Sequence, residues 1–297
     1  MLKLQTPVDC GKSRIHISYK DRIMIIGSCF ADNIGARMSA LGFDVCVNPF
    51  GTLYNPQSIC NSLSRLTECR EFTMEDCEPM GSGAGLVCSF SHHTSFARRN
   101  PEDFLENANR RLHEASEFWH GCNKVIMTLG TSWCYRHIAG DIIVSNCLKR
   151  DAREFVRERM EPGDTVRVLS EIISGDRPDM ASGTGNRNFI LTVSPIRHFK
   201  DGAHGNQVSK ASLLLAADRL CSIFHDRCEY FPSYEIMMDE LRDYRFYAED
   251  MLHPSDQAVG YIWERFCGFA LPDEERQQLA ANEKLLRQSG HRPIPRG

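Results

Sequence analysis

The stretch RIMIIGSCFADNIGARMSALGF, residues 22–43, decides the fold class. Four apolar residues, Ile23 to Ile26, run into Gly27, and a helical pattern then starts at Ser28 and stops at Gly42. A buried strand that ends on glycine and turns directly into a helix is the first half of a β-α-β unit. Such a turn places its serine at the carboxyl edge of the sheet, where open α/β sheets carry their ligand sites. Ser28 therefore has two readings. It is an N-cap, a role serine fills routinely, or it is a nucleophile beside helix N–H groups able to hold a developing negative charge.

Working outward, five runs read as strands covered on both faces: 22–27, 43–48, 124–130, 188–194 and 228–231. The first four are dense in Ile, Val, Leu, Phe and Met without strict alternation. Between them lie helical patterns. Two open on Asn-Pro, at Asn55-Pro56 and Asn100-Pro101, a cap followed by proline in the first turn. REFVRERM…RVLSEII, SKASLLLAADRLCSIF and SDQAVGYIWERFCGFA read as further helices. Alternating strands and helices predict a parallel sheet with helices on both faces. Two inserts interrupt the alternation. MGSGAGLVCSFSHHTSFARR is glycine-rich and then β-like, and WCYRHIAGDIIVSNC reads as a hairpin turning at Ala139-Gly140-Asp141. Residues 1–272 form one domain in this reading, and 273–297 a charged helix with a mobile tail.

Composition bounds the function classes. The chain has 297 residues, 42% of them hydrophobic, and a formal charge of −4; its mean hydropathy is −0.36. The basic residues are scattered among acids, which argues against a nucleic-acid footprint. No segment approaches the roughly 18 uninterrupted apolar residues of a membrane span. The opening residues lack an apolar run with a small-residue cleavage site, so a cytoplasmic location is expected. The 13 cysteines contain no C-x-x-C; free thiols in a reducing compartment are expected, with no metal site.

A nucleophilic serine needs a base. In YAEDMLHPSDQAVGYIWERF, Asp250 precedes His253 by three residues, a spacing that lets a carboxylate hold an imidazole from its own loop. A second D-x-x-H, Asp201–His204, lies in the turn-like KDGAHG. Position favours His253, which follows the fifth strand and precedes the last core helix.

GSCFA at 27–31, NPFGTLYNP at 48–56, TLGTSW at 128–133, TVSPIRHFKDG at 192–202 and YFPSYEIMMDELRDYRFYAEDMLHPS at 230–255 together resemble the GSCFA family, a branch of the SGNH (GDSL-like) hydrolases. The resemblance covers nearly the whole chain. It implies a three-layer α/β/α sandwich on a five-strand parallel sheet of flavodoxin-like order, with a catalytic Ser28, Asp250 and His253. It also implies an oxyanion glycine, matched by Gly51. The superfamily's Gly-x-Asn-Asp is absent: Gly130-Thr131-Ser132-Trp133 stands in its place, so Thr131, Ser132 or Asn146 is expected to supply the missing donor. Cys29 is expected to be a packed structural thiol, since a helix turns about 100° per residue and aims it away from Ser28's direction. Arg197 and His198 are expected on the substrate rim, where an arginine clamps an anionic group or instead pairs with the DELRD acids. His93 is a further candidate to line the pocket. Asp239, Arg242, Asp243 and Arg245 read as an ion-pair network.

The expectation is a cofactor-free serine esterase that removes a small acyl group, such as acetyl, from a hydroxylated substrate, with carbohydrate-linked esters favoured. An O-acyltransferase using the same residues and a non-catalytic glycan-binding module are the alternatives.

Overall fold

Side chains that alternate between two buried faces along the first strand set the layers. In the computed structural model, which describes residues 6–81, 83, 85–175 and 187–290, five parallel strands form the central sheet. They are β1 (Arg22–Gly27), β2 (Asp44–Val47), β3 (Lys124–Leu129), β4 (Asn188–Val193) and β5 (Cys228–Tyr230), in the spatial order β5-β4-β3-β1-β2. Met24 and Ile26 point into one core, with Ile59, Leu63, Phe104, Leu112, Val168 and Leu213. Ile23 and Ile25 point into the other, with Phe30, Ile34, Met38, Ile262, Trp263 and Phe266. The first core is capped by α2 (Pro56–Glu68), α3 (Pro101–Gly121), α4 (Pro162–Gly175) and α5 (Gly202–Ile223); the second by α1 (Cys29–Ala40) and α6 (Asp256–Ala270). This is the expected three-layer α/β/α sandwich.

Local chemistry explains the helix starts. The side chains of Asn55, Asn100 and Ser255 accept the N–H groups of Ser58, Asp103 and Ala258, satisfying donors that the first turn leaves unpaired. The second strand is shorter than its apolar run because Asn48 leaves the sheet at φ +39°.

One segment departs from the sequence reading. REFVRERM is not helical: Phe155–Arg159 is a strand, antiparallel to Trp133–His137, which also pairs with Ile142–Val144 across the anticipated hairpin. The reason is cross-strand pairing. Phe155 is buried and Val156 exposed, while Glu158 takes the Arg136 guanidinium from the neighbouring strand at 2.6 Å. The helix proper begins only at Pro162. At the chain's far end, α7 (Asp273–Gly290) is the anticipated charged helix; the 291–297 tail lies outside the described residues. Among the described residues, no helix is long and apolar enough to cross a membrane.

Candidate active site

The turn from β1 into α1 is forced by close contact. Gly27 sits at φ +134°, and a Cβ there would lie 2.1 Å from the Thr128 carbonyl oxygen on β3. Only glycine fits. The Ser28 N–H, carried inward by this turn, donates to the carbonyl of Thr128 at 3.1 Å and to its hydroxyl at 2.9 Å. The Ser28 hydroxyl meets the Thr128 hydroxyl at 3.1 Å and accepts the Phe30 N–H at 3.3 Å. It is fully buried. Ser28 is the N-cap of α1, and its oxygen bonds to Thr128 and Phe30 rather than to the histidine.

Cys29, the first helical residue, faces the open side. Its Sγ lies 3.7 Å from His253 Nε2 and 3.9 Å from the Tyr54 hydroxyl. The expected directions are thus exchanged: the Cys29 thiol neighbours His253, and the Ser28 hydroxyl is packed against Thr128. Rotation about the helix axis does separate the two side chains as anticipated, but the cap takes the buried direction and leaves the cleft to the sulfur.

His253 and Asp250 stand as the sequence indicated. One Asp250 oxygen accepts the N–H groups of Leu252 and His253, each at 2.9 Å, and the other lies 2.5 Å from His253 Nδ1. A carboxylate only accepts, so Nδ1 carries the hydrogen and Nε2 presents its lone pair towards the thiol. The N–H groups of His253 and Leu252, and then the ring, hold Asp250 down at about 2. The loop is braced by the Ala248 N–H on the His253 carbonyl at 2.8 Å and by the Arg197 N–H on the Leu252 carbonyl at 3.0 Å. Burial raises the Cys29 thiol above its ordinary range, partly offset by the Tyr54 hydroxyl. The resting pair is therefore a thiol beside an imidazole, and the proton must move during reaction.

NPFGTLYNP serves as a scaffold. Asn48 accepts the Gly27 N–H at 2.8 Å and donates to Asp32 at 2.6 Å, whose other oxygen takes the Thr52 hydroxyl at 2.8 Å. These bonds tie the loop to β1 and α1 and seat Tyr54 beside Cys29. Gly51 does not reach the cleft. Its N–H is spent on the Asn48 carbonyl at 2.7 Å, and a Cβ there would meet His93. His93 itself packs on Gly51 and caps the turn Thr94–Phe96, and neither residue lines the cleft.

Among the polar side chains that face the cleft, which has a volume of about 440 Å³, three carry hydrogens free to donate to an oxyanion. Thr131 is one. Ser209 accepts from the N–H and hydroxyl of Ser132 and so donates to Thr131, which also accepts the Trp133 N–H; the Thr131 hydrogen is left over. Asn146 and Asn55 are the others, each with its oxygen spent on a backbone N–H, of Leu148 and Ser58, and its amide hydrogens available. Asn55 was legible only as a helix cap.

Arg197 and His198 line the cleft as expected. Arg197 makes no pair with the DELRD acids; its guanidinium lies 4.3 Å over Phe199. Of the anticipated network, Arg245 and Asp243 pair at 3.7 Å. Burial, then Lys210 and His253, press His198 down to about 3, so its ring is neutral, and its Nε2 is buried without a partner. The second D-x-x-H does not form a pair. Asp201 is buried against Arg157, while His204 is exposed at the start of α5.

Sequence reading passed over Lys210. It is 1% exposed, and its ammonium donates to the carbonyls of Gly130 at 2.6 Å and Ser194 at 2.8 Å, clamping the ends of β3 and β4. Burial pushes it down to about 7. The signal was its place on the apolar stripe of α5 with Leu213, Ala217 and Leu220. Among the described residues, no cluster of His, Cys, Asp and Glu has the geometry to hold a metal ion.

The model of the GSCFA family matches residues 22–266. No curated protein matches the chain, and no solved structure does.

Proposed function

We propose that this protein, which belongs to the GSCFA family, is a thiol-dependent acylesterase of SGNH type, with Cys29 as nucleophile, His253 as general base and Asp250 as the group that orients it. The observation that carries this reading is the line of contacts from Cys29 Sγ to His253 Nε2 at 3.7 Å and from His253 Nδ1 to Asp250 at 2.5 Å, on the wall of a cleft. Apo contacts of this kind are commonly long and shorten when substrate binds.

The chemistry follows from the atoms present. The thiol proton passes to His253 Nε2 as Sγ bonds to the ester carbonyl carbon. The negative charge on the carbonyl oxygen is met by the Cys29 N–H and by Asn55, Thr131 or Asn146. The carbon–oxygen bond to the alcohol breaks, and His253 gives that oxygen the proton. A thioester on Cys29 remains. Water, its proton taken by His253, attacks the thioester; the carbon–sulfur bond breaks, the acid leaves, and the thiol is restored. A small O-acyl group on a carbohydrate is the substrate that suits this chemistry and a cleft walled by Tyr54, Trp133 and Tyr135.

The test is hydrolysis of p-nitrophenyl acetate together with mapping of the residue alkylated by iodoacetamide. Cys29 is expected to be alkylated, and turnover is expected to be lost in step with its modification rather than with that of the exposed Cys69. Full activity after complete alkylation of Cys29 would overturn the proposal.

A further inference from the structure

The cleft beside Cys29 is electropositive in a chain whose formal charge is −4. Arg157, Arg197 and Lys200 line it; Asp250 stands behind His253, already bound to its ring, and the lining itself holds a single carboxylate, Asp201. That carboxylate is already engaged: its side chain is 3% exposed and paired with Arg157. Arg197 and Lys200 lie on the loop that follows β4, and neither has a carboxylate partner among the described residues.

Both are held by groups other than acids. The Arg197 guanidinium lies 4.3 Å over the Phe199 ring and 5.7 Å from the centre of Tyr247, and its Nε is buried without an acceptor. Lys200 donates to the Tyr135 hydroxyl at 2.8 Å, which uses one of its three hydrogens. Aromatic neighbours position a cation without neutralising it. A guanidinium fork and an ammonium, both uncompensated at the mouth of a reactive cleft, form a receptor for oxyanions.

We infer that the substrate carries an anionic group, a carboxylate or a phosphate, which Arg197 and Lys200 hold while the acyl carbon lies at Cys29. This rests on the thiol-nucleophile reading for the role of Cys29, but the charge of the cleft is measurable without any turnover.

The experiment compares two alkylating reagents on the full chain. In each, the Cys29 thiolate displaces iodide; iodoacetate carries a carboxylate where iodoacetamide carries a neutral amide. The expected ratio of iodoacetate to iodoacetamide rates at Cys29, read by peptide mapping, is about tenfold or more above that of free cysteine. It should fall several-fold in Arg197→Gln and in Lys200→Gln, and stay put in Arg110→Gln, an exposed arginine of α3. Lys200 is surface-exposed, so its variant remains informative if Arg197→Gln fails to fold. Protection of Cys29 by succinate rather than by inorganic phosphate identifies the anion as carboxylate; the reverse identifies phosphate. A ratio equal to that of free cysteine overturns the inference, and a raised ratio that survives both variants overturns its assignment to these two residues. A raised ratio without ester turnover overturns the esterase reading alone. A Cys29 that reacts with neither reagent overturns both.

Discussion

Two regions meet at the carboxyl edge of the sheet, and they use polar side chains in opposite ways. Beneath the edge, Ser28, Thr128, Ser132 and Ser209 are at most 2% exposed and bond to one another or to the backbone. His92 belongs to the same kind of environment: its Nδ1 lies 2.7 Å from the Ser89 hydroxyl, among the rings of Phe50, Phe72, Phe96 and Phe104. These groups are neutral because burial disfavours charge. On the cleft side, His253 and Asp250 have side chains 44% and 46% exposed and face each other as an imidazole and a carboxylate. Only there is a proton acceptor both accessible and oriented. The difference teaches that a place at a helix start does not by itself bring a serine to a base; its direction relative to the neighbouring strand decides that.

The sharpest break would come from the adjacent pair itself. Cys29→Ala is expected to lower kcat/KM for an acyl ester by roughly 10⁵-fold or more, measured on protein whose circular dichroism is unchanged. Retained turnover in that variant would return the reaction to the buried side.

Next in size is Asp250→Asn, expected to cost up to roughly 10⁴ in rate because the imidazole loses the acceptor that fixes its tautomer. Asp201→Asn breaks the pair with Arg157 and should act on stability and substrate affinity instead. Comparing kcat and KM for the two separates the D-x-x-H that holds a base from the one that holds an arginine.

Ser28→Ala sharpens the other half of the comparison. Loss of the cap and of the Thr128 partner should lower stability by about 1–3 kcal/mol, read as a shift of the urea midpoint. Activity per folded molecule should stay within a few-fold of wild type. An inactive but equally stable Ser28→Ala would contradict the assignment of cap and nucleophile.

The smallest effect expected is on acid stability. Burial, with a lesser push from Arg65, holds His92 down at about 3, whereas an unfolded histidine titrates near ~6.5. Between those values the unfolded chain binds more protons than the folded one, so stability falls as pH drops from about 6.5 towards 3. The slope for one such group reaches about 1.4 kcal/mol per pH unit. His92→Phe should therefore lose less stability than wild type between pH 7 and pH 5 in urea titrations, although His198, shifted in the same direction, keeps part of the slope.

Much of this architecture was legible in the chain. Apolar runs bounded by turn residues marked all five strands to within about a residue, because a strand covered on both faces leaves no place for polar side chains. Asn-Pro openings marked α2 and α3, and the Asp250–His253 spacing marked a pair that forms within one loop. REFVRERM was not legible: its pattern suits a helix, and only its pairing with Trp133–His137 makes it a strand. Lys210 and Asn55 were hidden because the same residues do ordinary work elsewhere, on helix surfaces and at helix caps.

The sequence by itself determined which segments converge on the carboxyl edge of the sheet, since strand and turn positions follow from hydrophobic pattern and glycine and the strand order from the family resemblance. Which of Ser28 and Cys29 meets His253 was decided by the tertiary structure alone. Neighbouring residues at a helix start point about 100° apart. Which direction faces solvent depends on how closely β1 lies against β3, and here the Thr128 oxygen atoms, within hydrogen-bonding distance of the Ser28 N–H, draw that residue inward. The cysteine is left facing the cleft.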